Sequence, residues 1–93
     1  MEKILPLRRK VDEIDEQILR FLKERMEVCK IIGATKREHG ILVRDIRREN
    51  EHYAYVMRRA SELGLDPKEV KAVYQAIIAM SIHVQEADTT ENC

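Results

Sequence analysis

The chain has 93 residues, enough for one domain with a small core and marginal on its own unless stapled or oligomeric. Lys+Arg and Asp+Glu both number 17, so the formal net charge is zero, which argues against a dedicated nucleic-acid binder. No apolar run approaches the ~18 residues of a membrane span, and MEKILPLRRK lacks the apolar core of a secretion signal, so the reading is a soluble cytoplasmic protein.

Three glycines and two prolines leave few breaks, and the apolar spacing is helical throughout. The first predicted element runs from about Pro6, a residue suited to the first helical position, to about Glu38, with EHG ending it at Gly40. Leu7, Val11, Ile14, Ile18, Phe21, Arg25, Val28 and Ile32 alternate in steps of four and three, a sustained a/d seam. Gly33 reads as a tolerated weak point in this helix. A second helix is expected over about Val43 to Leu63, with Ile46, Tyr53, Val56, Met57, Ala60 and Leu63 on its apolar row and Gly64 as its cap. The third starts at Asp66 as N-cap, with Pro67 first and Glu69 three after the cap. Val70, Val73, Tyr74, Ile77, Ile78 and Ser81 form its buried face, and residues 86–93 read as a fraying tail. Cys29 reads as a buried core thiol and Cys93 as a tail thiol rather than a disulfide pair.

These lengths imply an assembly. A helix of about 33 residues is roughly 50 Å long, whereas a compact domain of this size has a radius of gyration of about 12 Å. Two shorter helices cannot cover such a seam. The expectation is an all-α fold of three helices per chain, one long and two shorter, forming an intertwined homodimeric bundle over residues 1–93 as a single domain.

Charged residues make up 37% of the chain; most must face solvent, so any on an apolar stripe need a reason. Arg25 occupies a seam position between Phe21 and Val28, where a guanidinium is costly unless paired or snorkelling. Lys36 continues that face about 16 Å further along the axis. On the second helix Asp45, Arg48, Glu49 and His52 share one face, which read alone is an ordinary charge network. Ser81 and Gln85 extend the apolar row of the third helix, which read alone is a polar helix end. Together they give a bundle with a polar pocket among its helices, a usual place for a ligand. His39, His52 and His83 share no metal-ligand spacing and read as structural or surface residues. No glycine-rich phosphate loop or Ser/His/Asp arrangement is present.

The segments LRRKVDEIDEQIL (7–19), ERMEVCKIIGATK (24–36), VRDIRRE (43–49) and SIHVQ (81–85) together resemble the all-helical chorismate mutases, the AroQ class, over nearly the full length. The resemblance is to a monofunctional mutase, without a dehydratase, dehydrogenase or regulatory domain. It implies an isomerase that turns chorismate into prephenate by a Claisen rearrangement in aromatic amino-acid (Phe/Tyr) biosynthesis. It also implies no metal or other cofactor, a homodimer with shared sites, and no nucleic-acid or membrane partner. By the same resemblance Arg8 (from the partner chain), Arg25 and Arg48 contact the substrate carboxylates. Lys36 and Gln85 point at the ether oxygen, Asp45 and Glu49 engage the ring hydroxyl and hold the cations, and Ser81 adds a carboxylate contact.

Two physical checks agree with the implied roles. Arg8 and Arg25 stand about 25 Å apart on one helix, so they grip one small molecule only if Arg8 comes from a partner. Arg8, Arg25, Lys36 and Arg48 against Asp45 and Glu49 leave +2, matching a dicarboxylate. A neutral amide at Gln85 can donate without first being protonated, so activity should persist at neutral to mildly alkaline pH until Lys36 titrates. The alternatives are an isochorismate-pyruvate lyase of the same fold and a non-catalytic helical dimerisation or ligand-sensing module. The full Asp45/Arg48/Glu49 set favours the mutase.

Overall fold

The computed structural model describes the backbone of residues 3–90 and the side chains of residues 3–86. Three helices account for the described fold: α1 (Ile4–Glu38), α2 (Ile46–Glu62) and α3 (Pro67–Thr90). The all-α expectation holds, with small shifts at the helix ends. α1 begins at Ile4, so Pro6 lies inside its first turn rather than at its first position. There its missing N–H costs nothing, because the first four amides of a helix have no intrahelical acceptor.

Both predicted glycine caps are present. Gly40 adopts φ +66° and Gly64 φ +78°. At the end of α1, Ile41 N–H reaches Lys36 O at 2.8 Å and Gly40 N–H reaches Arg37 O at 3.2 Å. At the end of α2, Leu65 N–H reaches Ala60 O at 2.8 Å and Gly64 N–H reaches Ser61 O at 3.1 Å. This paired pattern is the Schellman motif, and it needs a left-handed residue at each glycine.

The start of α2 departs from expectation. Residues 43–45 are not helical, and Asp45 is the N-cap, extended at φ −122°, ψ 98°. Its Oδ1 accepts from Arg48 N–H at 3.1 Å. Asp66 caps α3 as expected, its Oδ1 accepting from Lys68 N–H (2.9 Å) and Glu69 N–H (3.3 Å). α3 is helical to Thr90, past the point where a frayed tail was expected to begin. Cys93 and the rest of 91–93 lie outside the described residues.

α3 packs against both α1 and α2 and holds the two together. The core is small: Cys29, Val56, Ala60 and Ile78 are buried, and Ser81 and Gln85 are buried with them. Val73, expected on the buried face of α3, is exposed. The first half of α1 touches little. Its seam stays open to solvent, with Leu7 at 64%, Val11 at 54% and Phe21 at 68% exposure. The single chain measures 56 × 28 × 16 Å and has a radius of gyration of 16.8 Å, well above the ~12 Å of a compact domain of this length. No helix among the described residues is long and apolar enough to cross a membrane.

Candidate active site

A cavity of about 290 Å³ opens where the second half of α1, the start of α2 and the second half of α3 converge. Seven of the eight residues singled out from the sequence line it: Arg25, Lys36, Asp45, Arg48, Glu49, Ser81 and Gln85. The eighth, Arg8, is exposed on the first half of α1 and is not part of this wall. Ile32, Ile78 and Ile82 supply apolar surface beneath the charges.

α1 and α3 approach each other closely beside the cavity, at Gly33 and Gln85. A Cβ added to Gly33 would sit 2.9 Å from Gln85 Cα and 3.0 Å from Gln85 Cβ and Cγ. Glycine therefore lets α3 press directly on the α1 backbone, and Gln85 is held where the two helices meet. Arg37 of α1 adds a hydrogen bond from Nη1 to Gln85 O at 2.8 Å. Gln85 Nε2 donates to Ser81 O at 3.1 Å, and Gln85 Oε1 lies 3.5 Å from Lys36 Nζ, a long contact. Lys36 Nζ makes its short bond to Val43 O, at 2.7 Å. The lysine thus ties the segment before α2 to the end of α1 and brings its ammonium beside the Gln85 amide.

Arg25 is paired with polar neighbours despite its seam position. Its Nη1 donates to Ser81 Oγ and approaches Cys29 Sγ at 3.8 Å, while Ser81 Oγ donates to Ile77 O at 3.0 Å. Donation to a buried serine hydroxyl fixes the guanidinium, and among the described residues no acidic side chain pairs with its charge. Arg48, by contrast, has no side-chain hydrogen bond or ion pair among the described residues.

The two acids are used in ways that spacing did not reveal. Asp45 is the N-cap of α2, where its charge also meets the positive end of the helix dipole. Glu49 is gripped by Arg44 through both oxygens, Nε to Oε2 at 2.9 Å and Nη2 to Oε1 at 3.1 Å. The Glu49 side chain is 13% exposed, and that of Arg44 59%. The Arg44 pKa is pushed up by the hydrogen bond and then by the charge of Glu49. Since Arg44 and a helix N-terminus meet the two acids, the positive charge of Arg25, Lys36 and Arg48 is left to act on a ligand.

Besides the three isoleucines, three lining residues were not assigned to a site from the sequence: Cys29, Val43 and His52. Cys29 is buried as expected, but at the cavity wall. His52 lies one turn after Arg48, on the same face, which was its only signal in the sequence. Its ring meets Tyr74 edge-on at 5.5 Å and stacks with Tyr55 at 6.3 Å. Its Nε2 is shut off from solvent and has no hydrogen-bond partner among the described residues. Burial, then the charges of Arg25 and Arg48, lower its pKa below the usual 6.5.

A small, partly apolar cavity with guanidinium and ammonium groups from separate helices is chemically suited to a small organic anion. The chain belongs to the family described as chorismate mutase type II, whose model matches residues 7–86. It is 29% identical over 94 residues to a chorismate mutase of Methanocaldococcus jannaschii, an alignment covering 99% of this chain and 95% of that protein. It is 33% identical over 89 residues to a bifunctional chorismate mutase/prephenate dehydratase of Aquifex aeolicus, covering 92% of this chain but only 25% of that protein. A solved structure of a conserved hypothetical protein from Pyrococcus furiosus superposes with a TM-score of 0.72 at 33% identity, covering 91% of this chain and 97% of that one.

Proposed function

We propose that the chain catalyses the rearrangement of chorismate to prephenate, as a cytoplasmic enzyme of phenylalanine and tyrosine biosynthesis. Supporting this reading is the convergence of Arg25, Lys36, Arg48 and Gln85, from three helices, on one cavity. The reaction is pericyclic: a carbon–carbon bond forms as an ether carbon–oxygen bond breaks, within one molecule and without proton transfer. The protein's work is to hold the folded conformer and to stabilise negative charge building on the ether oxygen.

In this reading Arg25 and Arg48 hold the two carboxylates, with Ser81 fixing Arg25 and adding a contact of its own. Lys36 and the Gln85 amide face the ether oxygen, and Asp45 and Glu49 meet the ring hydroxyl. The cavity is completed in a homodimer, where Arg8 of the partner subunit reaches the substrate. The exposed seam of α1 supplies the apolar surface for that association.

The direct experiment is to add chorismate to the purified protein and follow its loss and the appearance of prephenate. Salicylate and pyruvate formed from isochorismate, without prephenate from chorismate, would support the lyase instead. A well-folded dimer inert to both would point to a ligand-sensing module. Lys36→Ala and Gln85→Ala should each lower kcat by about 10²–10³, the effect of removing an oxyanion donor. A loss below tenfold would show that these groups do not face the breaking bond.

A further inference from the structure

We propose that Arg37 is a positioning residue for the reaction: by holding the Gln85 carbonyl from α1, its guanidinium fixes where the Gln85 amide stands beside Lys36. This role rests on the chorismate reading above, and the two fail separately in the test below.

Stabilising charge on a breaking ether bond asks for donors held in place before the reaction, and a misplacement of about 1 Å can cost about a hundredfold. A glutamine side chain has several rotatable bonds, so both its tip and its backbone need fixing. The tip is tied within α3, where Gln85 Nε2 donates to Ser81 O at 3.1 Å. That bond travels with α3 and does not set how the helix stands on α1. Setting it falls to Gly33 and Arg37, one turn apart on the same face of α1.

Gly33 sets the distance, since an added Cβ would lie 2.9 Å from Gln85 Cα. A van der Waals contact of this kind is non-directional and leaves the helices free to slide or roll. Arg37 Nη1 donates to Gln85 O at 2.8 Å, and a charge-assisted hydrogen bond is directional. The Gln85 carbonyl has two lone pairs, one for the ladder of a helix that runs on to Thr90 and one for the guanidinium. Lys36, the residue before Arg37, brings its Nζ to 3.5 Å from Gln85 Oε1. Adjacent residues of α1 therefore grip Gln85 by its backbone and meet its amide.

Arg37 is half-buried and does not line the cavity, so its effect on the substrate runs through Gln85. Read from the sequence, it is one more cation in the last turn of α1, where positive charge favours the helix dipole. The two roles differ in their consequences. A dipole role concerns stability and is filled equally well by lysine. A positioning role concerns kcat and exists only while Gln85 is there.

The test is a cycle of Arg37→Ala, Gln85→Ala and the double variant, with Arg37→Lys beside them. Arg37→Ala should lower kcat for chorismate about ten- to thirtyfold and move KM less than about threefold. In the Gln85→Ala background the same change should cost less than about twofold, because no amide is left to place. Arg37→Lys keeps the charge without the rigid fork and should regain part of the kcat. Rates are taken well below the melting transition of each variant, so that lost stability does not count as lost kcat. Equal losses of kcat with and without Gln85, or a lower melting temperature with unchanged kcat, would overturn the proposal and leave Arg37 as a stabiliser of the α1 terminus. Wild type inert to chorismate would instead overturn the reading of the reaction, and the positioning role with it.

Discussion

Gly33 has room for a hydrogen and nothing larger, because Gln85 Cα lies 2.9 Å from where a Cβ would stand. Read as a sequence, it was a weak point in a long helix; what it provides is a close seat for Gln85 of α3 against α1. The obstacle is backbone, which cannot rotate aside, so Gly33→Ala should cost roughly 1–3 kcal/mol in stability. It should also lower kcat by displacing Gln85. Thermal unfolding and steady-state kinetics check both, and a variant of wild-type stability and rate would show that α3 slides freely on α1.

Arg44 was legible only as a surface charge. It lies five residues before Glu49, in the segment ahead of the helix, so helical phase says nothing about the pair. Once α2 is seen to start at Ile46, the arm before it folds back over the first turn. Glu49, Ile78 and Ile82 also line a second cavity of about 250 Å³, at which Arg44 sits. Arg44→Ala should leave Glu49 free to turn toward the site cations. A fall in kcat/KM of about tenfold, ~1.4 kcal/mol, is expected, with part regained in Arg44→Lys. The cavity-facing positions along VRDIRRE were legible because Arg48 and Glu49 obey helical spacing; Asp45 lines the cavity with them, and its capping of α2 was what the spacing did not reveal.

At the scale of the helices, α1 behaves as two elements in one. From Arg25 to Lys36 it meets α3 and builds the cavity; from Ile4 to Arg20 every residue is exposed. Periodicity revealed the seam along its whole length but not what would cover each part of it, since an internal helix and a second chain ask for the same apolar spacing. The glycine caps and the Asp66–Pro67 start were readable because left-handed backbone and side-chain capping demand particular residues. The start of α2 was not, because Val43 and Arg44 are acceptable in a helix and yield only to the Asp45 cap.

Val11→Glu separates the possible covers of the seam. On a free surface such a change shifts stability by about 0.5 kcal/mol or less, whereas in a buried seam it strands a charge. Sedimentation should show the variant as monomer and wild type as dimer, with activity lost alongside. An active, dimeric Val11→Glu would place the contact elsewhere on the chain.

For the whole molecule, the extended shape and the small core are what the proposed dimer requires of a single chain. A radius of gyration of 16.8 Å and the exposed α1 stripe leave one chain short of the burial that stabilises 93 residues. The cavity itself, however, takes seven of the eight expected residues from one chain, and only Arg8 stands away from it. That remoteness has a genetic consequence. Arg8→Ala and Gln85→Ala chains should each be crippled as pure proteins. Co-expressed and randomly paired, they form mixed dimers in which one of the two sites draws a sound arginine from one parent and a sound glutamine from the other. About one quarter of all sites are then intact, so two dead alleles should complement each other to about a quarter of wild-type activity.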